Sequence, residues 1–394
     1  MNAPTVQQAY HLSRPCFELN PFEDAIVYFG REDLLQKLLN YVKISSRQQK
    51  PLKLVLEGSW GFGKTHTLMH IAVNQNFKEY MDCVYVLLPD LSGKENSFDG
   101  FFKHVIRALL KSNILKKLSR DIKTDRQLAN DLKETAGTFI YNAVFGLTEI
   151  DTSEIVERWL LGETLTKAER TPTGLSSNIT SDEARDLLSS IGKYYIIKHG
   201  KMLTLLLDEA HRIQNITEDS PNIHDWSTHF KILLDVTQCK LGLIFALGER
   251  DRPVTLLERP EDRSRLGYRW ENLPPLEGPT LESFLLNLIR YVRDGWNISQ
   301  NAPNDPKESV ITFINQWNTE HPTEPTDKDH YPFTISAFNK LVNTVKRAAP
   351  RDICKAIDDV AAYDQCVNRG ILTEADTTRI IEITRELEKV RRGA

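Results

Sequence analysis

One stretch of the 394-residue chain has the residue types and spacing that bind a nucleotide phosphate. It fits the pattern G-x-x-x-x-G-K-[ST] with Gly58, Ser59, Trp60, Gly61, Phe62, Gly63, Lys64 and Thr65. Glycines let such a loop fold around a phosphate with its N–H groups pointing inward, and a following helix adds its positive end. Lys64 would reach the β- and γ-phosphates, and the Thr65 hydroxyl would hold Mg²⁺. Together with His66, these residues form the predicted ATP-binding segment.

An apolar run that ends in two acids supplies the second element that phosphoryl transfer needs. Leu203 to Leu207 reads as a buried strand, and Asp208 and Glu209 follow it. Asp208 would hold the Mg²⁺ shell, and Glu209 would orient the attacking water. Alone, such a strand end is usually a surface turn, but together with the loop it predicts a nucleoside triphosphatase. The chain contains no Asn-Lys-x-Asp motif, which favours ATP over GTP.

Apolar runs separated by helical patterns predict the sheet that positions these groups. The predicted strands are Leu52 to Leu56, Cys83 to Leu88, Met202 to Leu207 and Leu241 to Leu247. The predicted helices include Lys64 to Val73, Phe98 to Leu110 and one that begins at the capping-box sequence Thr180–Glu183. Alternation of strands and helices is typical of a parallel sheet. The predicted fold class is α/β, a three-layer α/β/α P-loop domain with a parallel sheet and a C-terminal α-helical lid.

The chain is long enough for two or three domains. We predict an N-terminal segment over residues 1–50, an ATPase core over 51–275 and a helical lid over 276–394. The core carries a helix-prone, charged insertion at about 112–179. The lid carries a loop-rich insertion at about 300–332, where Pro, Asn and Asp are frequent.

Composition bounds the class of protein. Hydrophobic residues make up 40% and charged residues 26%, as in ordinary soluble globular proteins. No run of eighteen apolar residues occurs, so we expect no membrane span. Five scattered cysteines without C-x-x-C spacing suit a reducing, cytoplasmic environment. The net charge of −4 argues against a protein whose whole surface binds nucleic acid, but it does not exclude a local DNA-binding patch.

Three further segments, taken with the two motifs in order, resemble the AAA+ ATPases. They are Asn20–Phe22 with Phe29–Glu32, Asp262–Gly267, and Ala349–Asp352. The resemblance covers roughly residues 20 to 385. It is to the initiator-like branch, which contains the origin-recognition ATPases and bacterial relatives in transposition and phage-defence systems.

The resemblance implies roles for particular residues. Phe29 and Gly30 would lie over the adenine, and Arg351 would touch the γ-phosphate from the lid. Arg265, with Arg263 in reserve, would act as an arginine finger on a neighbouring subunit, which implies a homo-oligomer. Plainer interpretations stay open for each: a surface loop, a helix-start arginine and an exposed charged loop.

The sequence departs from that family at one position that matters for turnover. The fourth strand is followed by Gly248, Glu249 and Arg250, where a polar Asn, Ser or Thr sensor is usual in that family, and Glu249 is a candidate for this role. We also expect no winged-helix DNA-binding domain after the lid, unlike in the origin-recognition ATPases. Two functions follow: an oligomeric ATPase that acts on DNA or a DNA-bound complex with a protein partner, or a signalling scaffold with slow hydrolysis.

Overall fold

The computed structural model describes residues 4–90, 97–215, 221–234, 240–248, 257 and 269–393. Contacts divide the chain into two units. The sheet unit comprises Gln36–Gly58 and Thr67–Asn272, and the helical unit comprises Met1–Leu35, Ser59–His66 and Leu273–Ala394. The predicted boundaries near residues 50 and 275 stay a prediction.

The sheet unit is built on five parallel strands in the order β2-β3-β4-β1-β5. They are β1 (Lys53–Glu57), β2 (Met81–Leu87), β3 (Met202–Asp208), β4 (Gly242–Leu247) and β5 (Arg269–Asn272). Every residue of β3 and β4 is buried. Because neighbouring side chains of a strand point to opposite faces, both faces of the sheet must be covered. The four strands predicted from apolar runs are confirmed, and β5 was not predicted.

Helices make up most of the remaining described chain. In chain order they are α1 (Val6–Ala9), α2 (Glu32–Arg47), α3 (Lys64–Val73), α4 (Gln75–Lys78), α5 (Phe98–Lys111), α6 (Ile114–Thr124), α7 (Arg126–Gly146), α8 (Ser153–Leu160), α9 (Lys167–Thr173), α10 (Ser181–His199), α11 (Pro221–Leu234), α12 (Pro279–Asp294), α13 (Glu308–Glu320), α14 (Ile335–Thr344), α15 (Pro350–Ala361), α16 (Asp364–Arg369) and α17 (Glu374–Gly393). A 3₁₀ segment (Ala210–Asn215) follows β3, and a short hairpin joins β6 (Trp296–Asn297) to β7 (Ala302–Pro303). Across the described ranges, none of these helices combines the length and apolar character that a bilayer span requires.

Local signals explain where the helices beside the sheet begin. The predicted capping box before α10 is present: the Thr180 side chain accepts from the Glu183 N–H, and the Glu183 side chain accepts from the Thr180 N–H. Ser97 caps α5 in the same way by accepting from the Gly100 N–H. α5 then buries Phe101 among other apolar residues in the core beside the sheet. These two helices hold β2 and β3 in place from one side of the sheet.

The helical unit has an apolar core of its own, which α12, α14, α15 and α17 share. Part of the stretch predicted as a loop, residues 301–332, is the helix α13. It buries Val310, Ile314 and Trp317, whose spacing puts them on one helical face, against Tyr331. The surrounding Pro, Asn and Asp residues obscured that spacing in the sequence. The fold class is confirmed as α/β with a parallel sheet and a helical C-terminal region.

Candidate functional site

The glycine loop (Gly58–Thr65) leaves β1 at the carboxyl edge of the sheet. The Gly58 N–H donates to the Leu247 carbonyl at 3.2 Å and so extends the pairing of β1 with β4 by one residue. Gly61 and Gly63 have φ angles of 79° and 81°. A side chain would strain the backbone at both positions, so glycine is required there. This backbone, followed at once by a helix, fits a phosphate group.

Lys64 is the first residue of α3 and folds back over the loop. Its Nζ donates to the Ser59 carbonyl at 3.2 Å, and the residue is 7% exposed. No acidic side chain lies in the first turn of α3. The positive end of the helix dipole is therefore not offset locally, which favours an anion at this end. Thr65 follows on the same turn.

Two arginines from the C-terminal helices contact the variable positions of the loop. The Arg351 guanidinium lies 4.2 Å from the centre of the Trp60 ring, and its Nε is 3.5 Å from a Glu18 carboxylate oxygen. Arg391 of α17 lies 5.0 Å from the centre of the Phe62 ring and donates to the Trp60 carbonyl at 3.4 Å. The structure thus brings Arg351, predicted as a sensor, to the glycine loop.

A buried carboxylate pairs with the second of these arginines. Asp352 Oδ2 is 3.6 Å from Arg391 Nη2, and both side chains are less than one tenth exposed. Burial raises the pKa of Asp352, and Arg391 and Arg351 act in the opposite direction. Removing the arginine would leave a buried carboxylate without its nearest cation, so this pair fixes α17 against α15.

The segment predicted to lie over the adenine is packed inside the helical unit. Phe29 is 8% exposed, and its ring centre is 5.7 Å from that of Trp296. Gly30 has a φ of 72°, and a Cβ there would come within 2.8 Å of the Thr280 carbonyl oxygen. Close packing against α12 therefore explains this glycine. Phe29 offers a ligand little surface.

Arg31 and His66 tie the same segment to the loop and to α3. Arg31 Nη1 donates to the Phe62 carbonyl at 2.5 Å, and burial lowers the pKa of this arginine. His66 Nε2 lies 2.7 Å from the Val27 carbonyl oxygen and donates to it. Burial also lowers the pKa of His66, which favours the neutral ring. His66 therefore makes a structural contact in addition to its predicted place beside the nucleotide.

The two predicted acids lie at the tip of β3, at the same carboxyl edge of the sheet from which the loop leaves β1. Asp208 is 1% exposed. Its Oδ2 accepts from the Tyr85 hydroxyl at 2.8 Å, and its Oδ1 accepts from the Glu209 N–H at 2.9 Å. Burial and the nearby Asp208 carboxylate raise the pKa of Tyr85, so the phenol stays protonated and donates. Asp208 is held firmly, as a metal ligand requires.

Glu209 has a backbone conformation that few residues other than glycine adopt. Its φ is 56°, which costs free energy and is common at functional sites. Its Oε2 lies 3.4 Å from His211 Nε2 and 3.5 Å from Arg212 Nε. Arg212 also lies 3.5 Å from an Asp90 carboxylate oxygen. The predicted catalytic carboxylate therefore has two basic neighbours on its own segment.

Two of the predicted elements lie outside the described residues. They are the arginine box at 262–267, with Arg265 and Arg263, and the candidate sensor Glu249. The described chain before the sensor position ends at Gly248.

Three solved structures are similar to this chain, at low sequence identity. Drosophila ORC bound to DNA matches with a TM-score of 0.42 and 12% identity, over 95% of this chain and 64% of that chain. C. elegans PCH-2 matches with a TM-score of 0.35 and 10% identity, over 95% and 74% of the two chains. AMPPCP-bound DnaA from Aquifex aeolicus matches with a TM-score of 0.32 and 14% identity, over 95% and 93%. The chain thus spans less than two thirds of the Drosophila ORC chain.

The sequence matches no protein-family profile and no curated protein. Any statement of function must therefore rest on the residues of the site.

Sequence reasoning missed Tyr85, Arg391 and the bridging position of His211. Tyr85 lies on β2, two residues before Leu87, which pairs with Asp208 in the parallel register. A tyrosine near the end of β2, the strand that pairs with β3, is a weak sequence signal for the contact with Asp208. Arg391 is remote in sequence from Phe62, and no local pattern connects them.

Proposed function

We propose that this protein is an AAA+ type ATPase that binds and hydrolyses Mg-ATP. The observation that carries the proposal is the glycine loop at the end of β1. It has two left-handed glycines, the buried Lys64 at the start of α3 and no acid in the first helical turn. Such a loop recognises the phosphates of a nucleotide through backbone N–H groups and one lysine.

Each residue of the proposed site has one task. The loop residues Gly58 to Thr65 hold the phosphates, and Lys64 supplies positive charge at the β- and γ-phosphates. Glu209 orients a water, whose oxygen forms a bond to the γ-phosphorus while the bond to the β,γ-bridging oxygen breaks. The products are ADP and inorganic phosphate: one proton of the water passes to Glu209 and then to solvent, and the other stays on the phosphate. Arg351 acts from the same chain and Arg265 from a neighbouring copy.

The donor set fits magnesium. Mg²⁺ prefers oxygen ligands, and the proposed ones are the Thr65 hydroxyl and the Asp208 carboxylate, beside phosphate oxygens of the nucleotide. Two hydrogen bonds, from Tyr85 and from the Glu209 N–H, already fix the Asp208 carboxylate. When bound, the metal ion neutralises charge that develops on the phosphates.

The proposed output is an ATP-dependent homo-oligomer in the cytoplasm that acts on DNA or a DNA-bound complex together with a protein partner. Its support is the order of the motifs and the arginine box at 262–267. The test is the solution mass of the Glu209→Gln protein by light scattering, with Mg-ATP and with and without duplex DNA. Assembly that Arg265→Ala blocks supports the finger in trans. A monomer under every condition contradicts the intersubunit part of the proposal.

The alternative is a signalling scaffold in which ATP binding sets the state and hydrolysis is slow. The favouring observation is that Glu209 lies within 3.5 Å of both His211 Nε2 and Arg212 Nε, which hold its carboxylate on its own segment. Turnover per subunit separates the two functions. Brisk, assembly-stimulated turnover that Glu209→Gln abolishes excludes the scaffold.

We expect Tyr85→Phe to weaken the apparent affinity for Mg²⁺ in the ATPase reaction. Removing the hydroxyl takes away one of the hydrogen bonds that orient Asp208, and loss of such a partner typically weakens metal binding by about 10-fold or more. The measurement is the Mg²⁺ dependence of turnover at fixed ATP. Tyr363→Phe, at a residue that is 43% exposed, is the matched control. A Mg²⁺ titration that overlays the wild type would show that Tyr85 does not orient this carboxylate.

A further inference from the structure

His211 lies between the proposed catalytic carboxylate and the end of the neighbouring strand. Its Nδ1 accepts from the Gly248 N–H at 3.2 Å, and its Nε2 lies 3.4 Å from Glu209 Oε2. Gly248 directly follows β4, the strand between β3 and β1. The imidazole therefore connects two strand ends at the edge of the sheet where the acids and the glycine loop begin.

The contact with Gly248 fixes which nitrogen of the ring carries the proton. A backbone N–H can only donate, so Nδ1 must present its lone pair. The neutral ring then carries its proton on Nε2, the nitrogen that faces Glu209. Nδ1 of the ring is thus the acceptor for the N–H at the end of β4, and Nε2 is the donor towards the Glu209 carboxylate.

Close packing leaves the ring little freedom. A Cβ added at Gly248 would come within 2.9 Å of His211 Cε1 and 3.1 Å of its Nδ1. Any side chain at position 248 would have to displace the imidazole. Glycine at this position therefore makes room for the histidine.

The hydrogen bonds continue from Gly248 towards the glycine loop. The Leu247 carbonyl accepts from the Gly58 N–H at 3.2 Å, and Leu247 is the residue before Gly248. A series of contacts therefore runs from Gly58 through the end of β4 and His211 to Glu209. Each step is a direct contact within the sheet unit.

We propose that His211 is a positioning residue, which holds the Glu209 carboxylate and couples it to the carboxyl end of β4. The proposal rests on the ATPase function proposed above, with Glu209 as the residue that orients water. Among the residues that the structure describes, Arg212 is the other basic side chain at salt-bridge distance from this carboxylate, and it also lies 3.5 Å from an Asp90 carboxylate oxygen. Removing His211 takes away the contact that connects Glu209 with the end of β4.

The test compares three variants with the wild type in ATP turnover and in binding of a fluorescent ATP analogue. His211→Phe keeps a ring but loses both nitrogens, and we expect kcat to fall by about 10- to 100-fold, as for a misplaced catalytic group. His211→Gln can accept from the Gly248 N–H and donate to Glu209, so it should recover most of the loss. Gly248→Ala should reproduce the defect without changing the histidine. Analogue affinity should stay within about threefold in all three.

His199→Phe, a histidine at the end of α10, is the matched control and should turn over ATP as the wild type does. The inference is overturned if His211→Phe keeps its kcat, if His211→Gln is as slow as His211→Phe, or if only analogue affinity changes. Should His211→Phe fail to fold, Gly248→Ala with unchanged turnover overturns it. A wild type that does not bind the analogue refutes the proposed ATP site itself, a result distinct from all of these.

Discussion

Replacing Lys64 with alanine is expected to weaken Mg-ATP binding by about 10- to 100-fold, because one contact between a charged donor and phosphate is worth about 1.5–3 kcal/mol. Lys64 is nearly buried, and its Nζ already lies 3.2 Å from the Ser59 carbonyl oxygen, within the loop. This contact within the loop and the burial of Lys64 restrict the side chain, which limits the entropic cost of binding. Calorimetric titration of both proteins with Mg-ATP measures the effect.

Two controls make the Lys64 result specific. Lys346→Ala removes the same charge from an exposed position and should leave ATP affinity unchanged. Adenosine carries no phosphate, so its affinity should be equal in the wild type and in Lys64→Ala. If Lys64→Ala binds Mg-ATP as tightly as the wild type does, the glycine loop is not the phosphate site and the proposed function fails.

The sheet could be read from the sequence because its signal is local. Leu203–Leu207 is a continuous apolar run, and strands buried on both faces need such runs. β5 escaped prediction because Arg269–Asn272 is short and polar and lies at the edge, where β1 is its one partner among the described strands. α13 escaped because its three buried residues lie among Pro, Asn and Asp, whose turn signals dominate a short window.

The candidate site also contains some residues that the sequence predicts and others that it does not. The glycine loop and the acids at 208–209 are predictable because each is a run of adjacent residues with one chemical task. The Tyr85–Asp208 hydrogen bond spans 123 positions, and the Gly248–His211 hydrogen bond spans 37. Such contacts depend on which strands are neighbours, and a single sequence does not encode strand order in a local pattern. Residues that position catalytic groups are therefore harder to predict than the groups themselves.

Strand order also explains why His211 has a special place. β4 lies between the strand that carries Asp208 and the strand that leads into the glycine loop. The end of β4 therefore lies between the strand end that carries the proposed catalytic acids and the strand end that leads into the glycine loop. In this chain a histidine from the acidic segment reaches over to that end.

Glu209→Gln is expected to separate binding from hydrolysis. Gln has the same size as Glu but cannot take a proton from water, and loss of such a group typically costs about 100- to 1,000-fold in kcat. The affinity for Mg-ATP should stay within about twofold of the wild type, because the loop and Lys64 are unchanged. Single-turnover hydrolysis and calorimetric titration measure the two quantities on the same preparation.

The matched control is Glu282→Gln, an exposed acid in the first turn of α12, which should hydrolyse ATP at the wild-type rate. If Glu209→Gln still hydrolyses ATP while Lys64→Ala no longer binds it, a group other than Glu209 orients the water. Turnover that is immeasurable already in the wild type, with ATP bound, favours the scaffold. In that case the two basic neighbours of Glu209 hold it in a resting arrangement, and ATP acts as a ligand that sets the state of the chain.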